Sequence, residues 1–341
     1  LSIDQCPACG SKDSTPVCEY NKFIVLGTAP DEEFCRYDYS ICHVCGICFA
    51  SRRPIGERGR WLLANFETTI GRGAVKNPVL NPHPLTDDDR KELKRRASQG
   101  VFVSEHLDMN SGDYIAGALK DRLANSVHVE ILTSLLSFKA PRVLEIRSRT
   151  GAVLAGLQRA WGADIYGMSI FESQQYLADV LYGIGNTELI DFENFIIPFD
   201  GRFDLIVCNH MFTHSIHPSE FLRTLHTHLK PGGYLYLYNE PDDDEFVKKN
   251  QSMLVTLNPL HLQAFDQSSL VRALGFNRFD AQFTSHAAGN HLCLLKSVDR
   301  PIKVHADSEA ISRRLDGYKV ARDLAVLRLP EVARGRFQDE W

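Results

Sequence analysis

Two short cysteine turns constrain this chain more than any other feature of its sequence. Cys6-Pro-Ala-Cys9-Gly10 and Cys42-His43-Val44-Cys45-Gly46 repeat one C-x-x-C-G pattern, with residues 10–41 between the two cysteine pairs. Each turn can present two thiolates to one tetrahedral cation, and the glycine that follows lets the backbone wrap its amides toward the sulfurs. Seven of the nine cysteines (Cys6, Cys9, Cys18, Cys35, Cys42, Cys45 and Cys48) lie in the first 48 residues, whereas Cys208 and Cys293 stand alone in apolar, strand-like runs. A disulfide framework would need a secretory context, and the start Leu1-Ser2-Ile3-Asp4-Gln5-Cys6 lacks the basic-then-apolar build of a signal peptide. A redox pair would need one copy of the motif at a strand-to-helix junction, not two. The reading is therefore one structural Zn²⁺ held by Cys6, Cys9, Cys42 and Cys45, a closed site with no position left for water. Cys18, Cys35 and Cys48 fall outside the spacing and read as small buried hydrophobes, and His43 could be a ligand only by displacing a cysteine.

The remaining composition is that of an ordinary globular chain of 341 residues, with 44% hydrophobic and 24% charged residues. A length of this order suggests about two domains. The balance of 38 basic against 43 acidic residues, a formal charge of -5, argues against a chain-wide nucleic-acid footprint. No apolar run approaches the ~18 residues that span a bilayer, so no membrane segment is expected and the expected compartment is the cytoplasm.

Four regions follow. Residues 1–55 form the zinc ribbon, with strands expected at 22–26 and 37–42. Residues 56–138 form a linker and helical region. Its acid-then-base run from Asp87 to Arg96 reads as a solvated helix, and Ile115, Leu119, Leu123, Val127, Ile131 and Leu135 recur at helical spacing as the apolar face of a second helix. Residues 139–298 alternate strands (143–146, 164–168, 203–208, 234–238) with helices (152–161, 172–182, 218–229, 268–274), and the runs 278–283 and 291–295 resemble a closing hairpin. That order predicts an α/β fold with a Rossmann-like, doubly wound parallel sheet. Residues 299–341 are a C-terminal extension with a helix at 308–326.

Phe203-Asp204-Leu205-Ile206-Val207-Cys208-Asn209-His210, then Phe212-Thr213-His214, then Leu229-Lys230-Pro231-Gly232-Gly233, closely resembles the second half of a class I S-adenosylmethionine-dependent methyltransferase. The resemblance covers residues 141 to about 297. With the N-terminal ribbon it extends to the zinc-containing methyltransferases of sugar and natural-product biosynthesis. It implies S-adenosylmethionine as cofactor, and a first strand-to-helix loop with glycines where the backbone must approach it. In Glu145-Ile146-Arg147-Ser148-Arg149-Thr150-Gly151, the residues Glu145, Thr150 and Gly151 match, whereas Arg147 and Arg149 replace two glycines. The arginines either fill the cleft or swing out to pair with the cofactor's carboxylate. By the same resemblance Ser169 takes the place of the ribose-binding acid, Asp191 and Phe192 meet the adenine or else form a solvated turn, and Asn209 lines the cleft.

Methyl transfer to a hydroxyl or acidic carbon needs a base, and histidine suits neutral pH. His214 stands where the family often carries a cleft histidine, with His210 beside it and His261 in the segment that resembles the acceptor-facing insertion. The string His210, His214, His217 is not expected to bind a second metal, because no carboxylate or cysteine joins it and a loop-to-helix break intervenes. His226 and His228 read as helix surface. The expected activity is methyl transfer to a small polar acceptor, a sugar or natural-product intermediate, with neither nucleic acid nor membrane as partner. Two alternatives stay open. One is a non-catalytic binding or assembly module whose arginines fill the cofactor loop; the other is an RNA methyltransferase gripping its substrate with Arg52, Arg53, Arg58 and Arg60.

Overall fold

The computed structural model describes residues 3–20, 37–52, 86–98, 114–191, 194–241, 261–287 and 290–327. The expected strand at 22–26, Cys35, Phe192, Arg53, Arg58 and Arg60 lie outside the described residues. The chain divides into two compact units, one of Arg72–Asn209 with Thr227–Tyr234, the other of Leu1–Gly71, His210–His226 and Leu235–Trp341.

The first unit is built on parallel strands β4 (Arg142–Ile146), β5 (Asp164–Ser169), β6 (Thr187–Leu189) and β7 (Phe203–Asn209). Val143 lies beside Ile165 on one side and Leu205 on the other, which places β4 between β5 and β7. Val143, Leu144, Ile146 and Leu205 to Cys208 are fully buried, as strands covered on both faces must be. The crossover helices are α3 (Ala152–Trp161) and α4 (Glu172–Tyr182), with α1 (Asp87–Ser98) and α2 (Tyr114–Leu135) preceding β4. The Tyr176 hydroxyl donates to the Arg90 carbonyl at 3.0 Å, fastening α4 to α1. Gly156 has no room for a side chain, since a Cβ there would sit 2.6 Å from Val129 of α2.

Helix α2 turns a different face inward from the one its hydrophobic pattern suggests. Leu123 is 69% exposed and Val127 and Leu135 are exposed too, whereas Asn125, His128, Leu132 and Leu136 are buried. The packed stripe passes through two polar residues, so a search for apolar periodicity selects its neighbour instead. Burial, and secondarily the charge of Arg149, pushes the His128 pKa down to about 4.

The second unit begins with antiparallel strands β1 (Ser14–Tyr20), β2 (Tyr37–Cys42) and β3 (Cys48–Arg52), to which the short β9 (Gln263–Ala264) adds to give the order β1-β2-β3-β9. It also holds helices α5 (Pro218–His228, most of it), α6 (Gln267–Phe276) and α7 (Ser308–Leu327) and the antiparallel hairpin β10 (Phe279–Ala287) and β11 (Asn290–Ser297). Strand β8 (Leu229–Pro241) contains the expected Lys230-Pro231-Gly232-Gly233 turn inside its first residues, where Gly232 adopts φ 72°. The seven-stranded sheet runs β10-β11-β8-β7-β4-β5-β6, mixed α/β and mostly parallel. His226, expected on a helix surface, is instead tied by Nε2 to the Val298 carbonyl at 3.0 Å and packs edge-on to Phe279. Among the described residues no helix is long and apolar enough to cross a membrane.

The buried His128 makes stability depend on pH in a defined direction. Its folded pKa of about 4 lies below the ordinary 6.5, so the unfolded chain binds the extra proton between these values. Stability is then complete above pH 6.5 and falls as pH drops toward 4, by about 3 kcal/mol at roughly 1.4 kcal/mol per pH unit. Urea unfolding from pH 7.5 to 4 should show this slope in the native chain and a shallower one in His128→Gln; parallel profiles would refute the assignment.

Candidate functional site

In doubly wound sheets ligands bind outside the carboxyl ends of the strands where the winding changes direction, which here is the junction of β4 with β7. The loop after β4 is unusual in its backbone. Arg147, Arg149 and Gly151 adopt φ 61°, 51° and 77°, so every second residue is left-handed, the path a run of alternating glycines takes without strain. For arginine this conformation costs about 1–2 kcal/mol per residue. Local hydrogen bonds offset the cost. Ser148 N–H donates to the Met168 carbonyl at 2.8 Å, and Gly151 N–H to the Ser148 carbonyl at 2.7 Å. The Ser169 hydroxyl lies 3.1 Å from that of Ser148 and donates to the Arg149 carbonyl at 3.4 Å, while Asn209 Nδ2 donates to the Arg147 carbonyl at 3.4 Å. Gly151 admits no side chain, because a Cβ would approach Ile184 to 2.6 Å.

Glu145, Thr150, Ser169 and Asn209 are therefore all present at this loop and all buried, and the two arginines are half-buried. Ser169 and Asn209 hold the loop's carbonyls, a role that the sequence did not suggest for either. Asp191 is exposed and accepts from the Asn194 backbone N–H at 3.1 Å and from its Nδ2 at 3.3 Å.

The other unit brings three histidines together. His210, His214 and His261 each offer a ring nitrogen within 4.8 Å of the others, with ring centroids 4.5 to 5.2 Å apart. His217 is exposed and stands outside the group. The turn carrying His210 and His214 is organised by Glu240, near the end of β8, a residue for which the sequence gave no motif. Glu240 is 0% exposed, and its Oε1 accepts the backbone N–H groups of Met211 and Phe212 at 2.8 Å each. Its Oε2 accepts the Thr213 N–H at 3.1 Å and the Thr213 hydroxyl. Burial pushes the Glu240 carboxyl above its ordinary range and these four donors pull against that rise. His261 is positioned separately: Leu262 N–H donates to the Thr213 carbonyl at 2.9 Å, and the His261 carbonyl accepts from the Tyr39 hydroxyl at 3.4 Å. Beside Glu240, burial pushes the Cys293 thiol up to about 12, which keeps it protonated and inert.

The four knuckle cysteines also converge. Cys6 and Cys45 sulfurs lie 3.6 Å apart, as do those of Cys9 and Cys42. A tetrahedral cation with Zn–S bonds near 2.3 Å needs sulfurs about 3.8 Å apart, so the set fits such an ion. Hydrogen bonding with Cys45, then Cys6 and Cys9, holds the Cys42 thiol well below its ordinary value, while Cys42 pushes that of Cys45 well above. His43 is engaged elsewhere, its Nε2 lying 2.8 Å from the Thr15 hydroxyl. Carbonyls of both knuckles accept from distant residues: Ala8 from Asn277 Nδ2 at 2.8 Å, Cys45 from Arg272 Nε at 3.0 Å, and Gly46 from the buried Arg314.

Residues 115–279 match the family model of a methyltransferase domain. No curated protein matches the chain. Among solved structures it is similar to a chain from the complex of the Haloferax volcanii Trm112 methyltransferase activator with a methyltransferase (14% identity, 61% of this chain and 98% of that one, TM-score 0.45). It is also similar to magnesium protoporphyrin IX methyltransferase from Synechocystis PCC 6803 (14%, 62% and 97%, TM-score 0.42). A third is an S-adenosylmethionine-dependent methyltransferase from Aquifex aeolicus (19%, 50% and 88%, TM-score 0.40).

Replacing Glu240 by Gln tests the histidine turn. The amide keeps one acceptor oxygen but turns an NH₂ toward a backbone donor, so the variant should lose about 1–3 kcal/mol of stability. Denaturant unfolding measures it, and a variant as stable as the native chain would show that the carboxylate does not organise residues 211–214.

Proposed function

We propose that this chain, an S-adenosylmethionine-dependent methyltransferase by virtue of the domain at 115–279, methylates a small polar acceptor such as a sugar or another natural-product intermediate. The observation that carries the cofactor reading is the alternating left-handed path at Arg147, Arg149 and Gly151, maintained although two of the three residues are not glycine. A fold holds arginine in this strained form only where neighbouring contacts over-determine it, and such strain concentrates at ligand sites. The backbone can then approach the ligand as a glycine loop would, and the guanidinium groups are the natural partners of its carboxylate.

S-adenosylmethionine supplies a methyl carbon activated by a sulfonium. The protein's share of an in-line displacement is alignment and, for a hydroxyl acceptor, removal of the hydroxyl proton. We assign that proton to an imidazole nitrogen of His214 or His261, with His210 completing the group. With the cofactor bound, transfer would form the oxygen–methyl bond as the carbon–sulfur bond breaks with its electron pair on sulfur, so the chain's own share would be to align the acceptor and take its proton. Cys6, Cys9, Cys42 and Cys45 are assigned a structural Zn²⁺, which takes no part in this chemistry because a closed four-sulfur site has no free position.

Calorimetric titration with S-adenosylmethionine and with its demethylated product tests the reading. Saturable binding of both to the native chain is expected. Arg147→Gly/Arg149→Gly should be more stable by about 1 kcal/mol per position through release of backbone strain. Binding that appears only in this double variant would mean that the arginines fill the site and that the chain is a binding module. For the ribbon, metal analysis should find that Cys42→Ser loses one ion per chain. Because the knuckle carbonyls bind Arg272, Asn277 and Arg314, the loss should also lower the stability of their unit.

A further inference from the structure

We infer that His210, His214 and His261 form a second metal site, one that binds a divalent cation of the Zn²⁺ or Co²⁺ type through three neutral imidazoles and leaves one position open for an acceptor oxygen. The sequence argued against a metal in the string His210, His214, His217, because no carboxylate or cysteine joins it and a loop-to-helix break intervenes. The structure replaces His217, which is exposed, by His261, which is distant in sequence, and the three ring nitrogens come within 4.8 Å of one another. Three-coordinate binding at about 2.1 Å requires nitrogens about 3.4 Å apart, a closure that side-chain rotation can supply on a fixed backbone.

The backbone is fixed at each of the three positions by a different contact. His210 adopts φ 50°, left-handed and uncommon for a residue with a side chain, and its N–H donates to the Tyr238 carbonyl at 2.9 Å. His214 closes the turn through its N–H to the Met211 carbonyl at 3.2 Å. The segment of His261 is bonded to Thr213 from one side and accepts from Tyr39 on the other. Glu240 is not a fourth ligand. Both of its oxygens already accept two hydrogen bonds each, so it acts as a positioning residue that aims the turn. The donor set is therefore three histidines and no protein anion, the composition of a metal centre that keeps a place for water or substrate. This contrasts with the Cys₄ site of the same unit, which is closed.

The nature of the fourth ligand rests on the methyl-transfer reading above; the binding of the cation does not. With a cation bound, the imidazole lone pairs serve as ligands and no longer as the base of the metal-free reading above; the cation's charge would lower the pKa of a bound hydroxyl, and its proton would pass to solvent. The substrate class is then a hydroxyl-bearing acceptor.

The purified full-length chain, dialysed against Co²⁺ alone, tests this. A second ion per chain is expected beyond that held by the cysteines, with weak visible ligand-field bands and no added sulfur-to-cobalt charge-transfer band. His214→Gln and His261→Gln should each weaken it by at least about 100-fold, and Glu240→Gln by about 10- to 100-fold. Retention of the cysteine-bound ion in each variant shows that its unit is still folded. A single ion per chain, or a second ion indifferent to His214 and His261, would overturn the site. Calorimetry with S-adenosylmethionine on the same samples separates the two claims. Cofactor binding without a second ion rejects the metal and leaves methyl transfer standing, whereas a second ion without cofactor binding upholds the metal and rejects methyl transfer.

Discussion

The convergence of four sulfurs is the constraint on which one whole unit depends. Cys6 and Cys9 lie far from Cys42 and Cys45 in sequence, yet their sulfurs approach to 3.6 Å in pairs. The turns that bring them together also point their carbonyls outward. Ala8, Cys45 and Gly46 accept side-chain hydrogen bonds from Asn277, Arg272 and Arg314, and the Val44 carbonyl accepts the Ala306 N–H at 2.7 Å. Arg314 is 7% exposed and also reaches the Ala264 carbonyl and the Tyr318 hydroxyl. A buried guanidinium is tolerated only when its donors find acceptors, and the rigid second knuckle provides one. The ribbon is in this sense a template for the C-terminal elements, which its small size alone would not suggest.

What could be read from the sequence was what local physics determines. Strands β4 and β7 announced themselves because burial on both faces demands continuous apolar runs, and the knuckles because thiolates of one tetrahedral ion need fixed spacing. The helix α2 misled because half of its packed stripe is polar: Asn125 and His128 are buried where Leu123 is not. The histidine group was half legible. His210 and His214 share a turn, but the partner that completes them is supplied by tertiary structure, as is Glu240, whose importance lies in backbone groups that no side-chain pattern records. Ser169 and Asn209 stood at the expected strand ends, yet their hydrogen bonds go to the loop carbonyls of Arg149 and Arg147.

The two sets of residues are held by distinct kinds of rigidity. At the β4 loop rigidity is conformational: a strained path is kept by hydrogen bonds to its own carbonyls and by the absence of space beside Gly151. At the histidine turn it is electrostatic, with one carboxylate gathering three backbone N–H groups and a hydroxyl. The first tolerates arginine at a price in backbone energy. The second tolerates little change at Glu240, because any neutral replacement leaves a buried donor without an acceptor.

The unit that holds the cysteines is assembled from Leu1–Gly71, His210–His226 and Leu235–Trp341, and this has a consequence for how the protein is made. A ribosome delivers residues in order, at about 5–20 per second, and domains normally fold as they emerge. Here the first segment cannot complete its contacts until Arg272, Asn277 and Arg314 have left the exit tunnel. The nascent ribbon can gather its four sulfurs early, but the carbonyls of Ala8, Cys45 and Gly46 must wait in water until Asn277, Arg272 and Arg314 have been made. The parallel core of β4, β5, β6 and β7 is complete sooner, so the contacts of the knuckle carbonyls form after it.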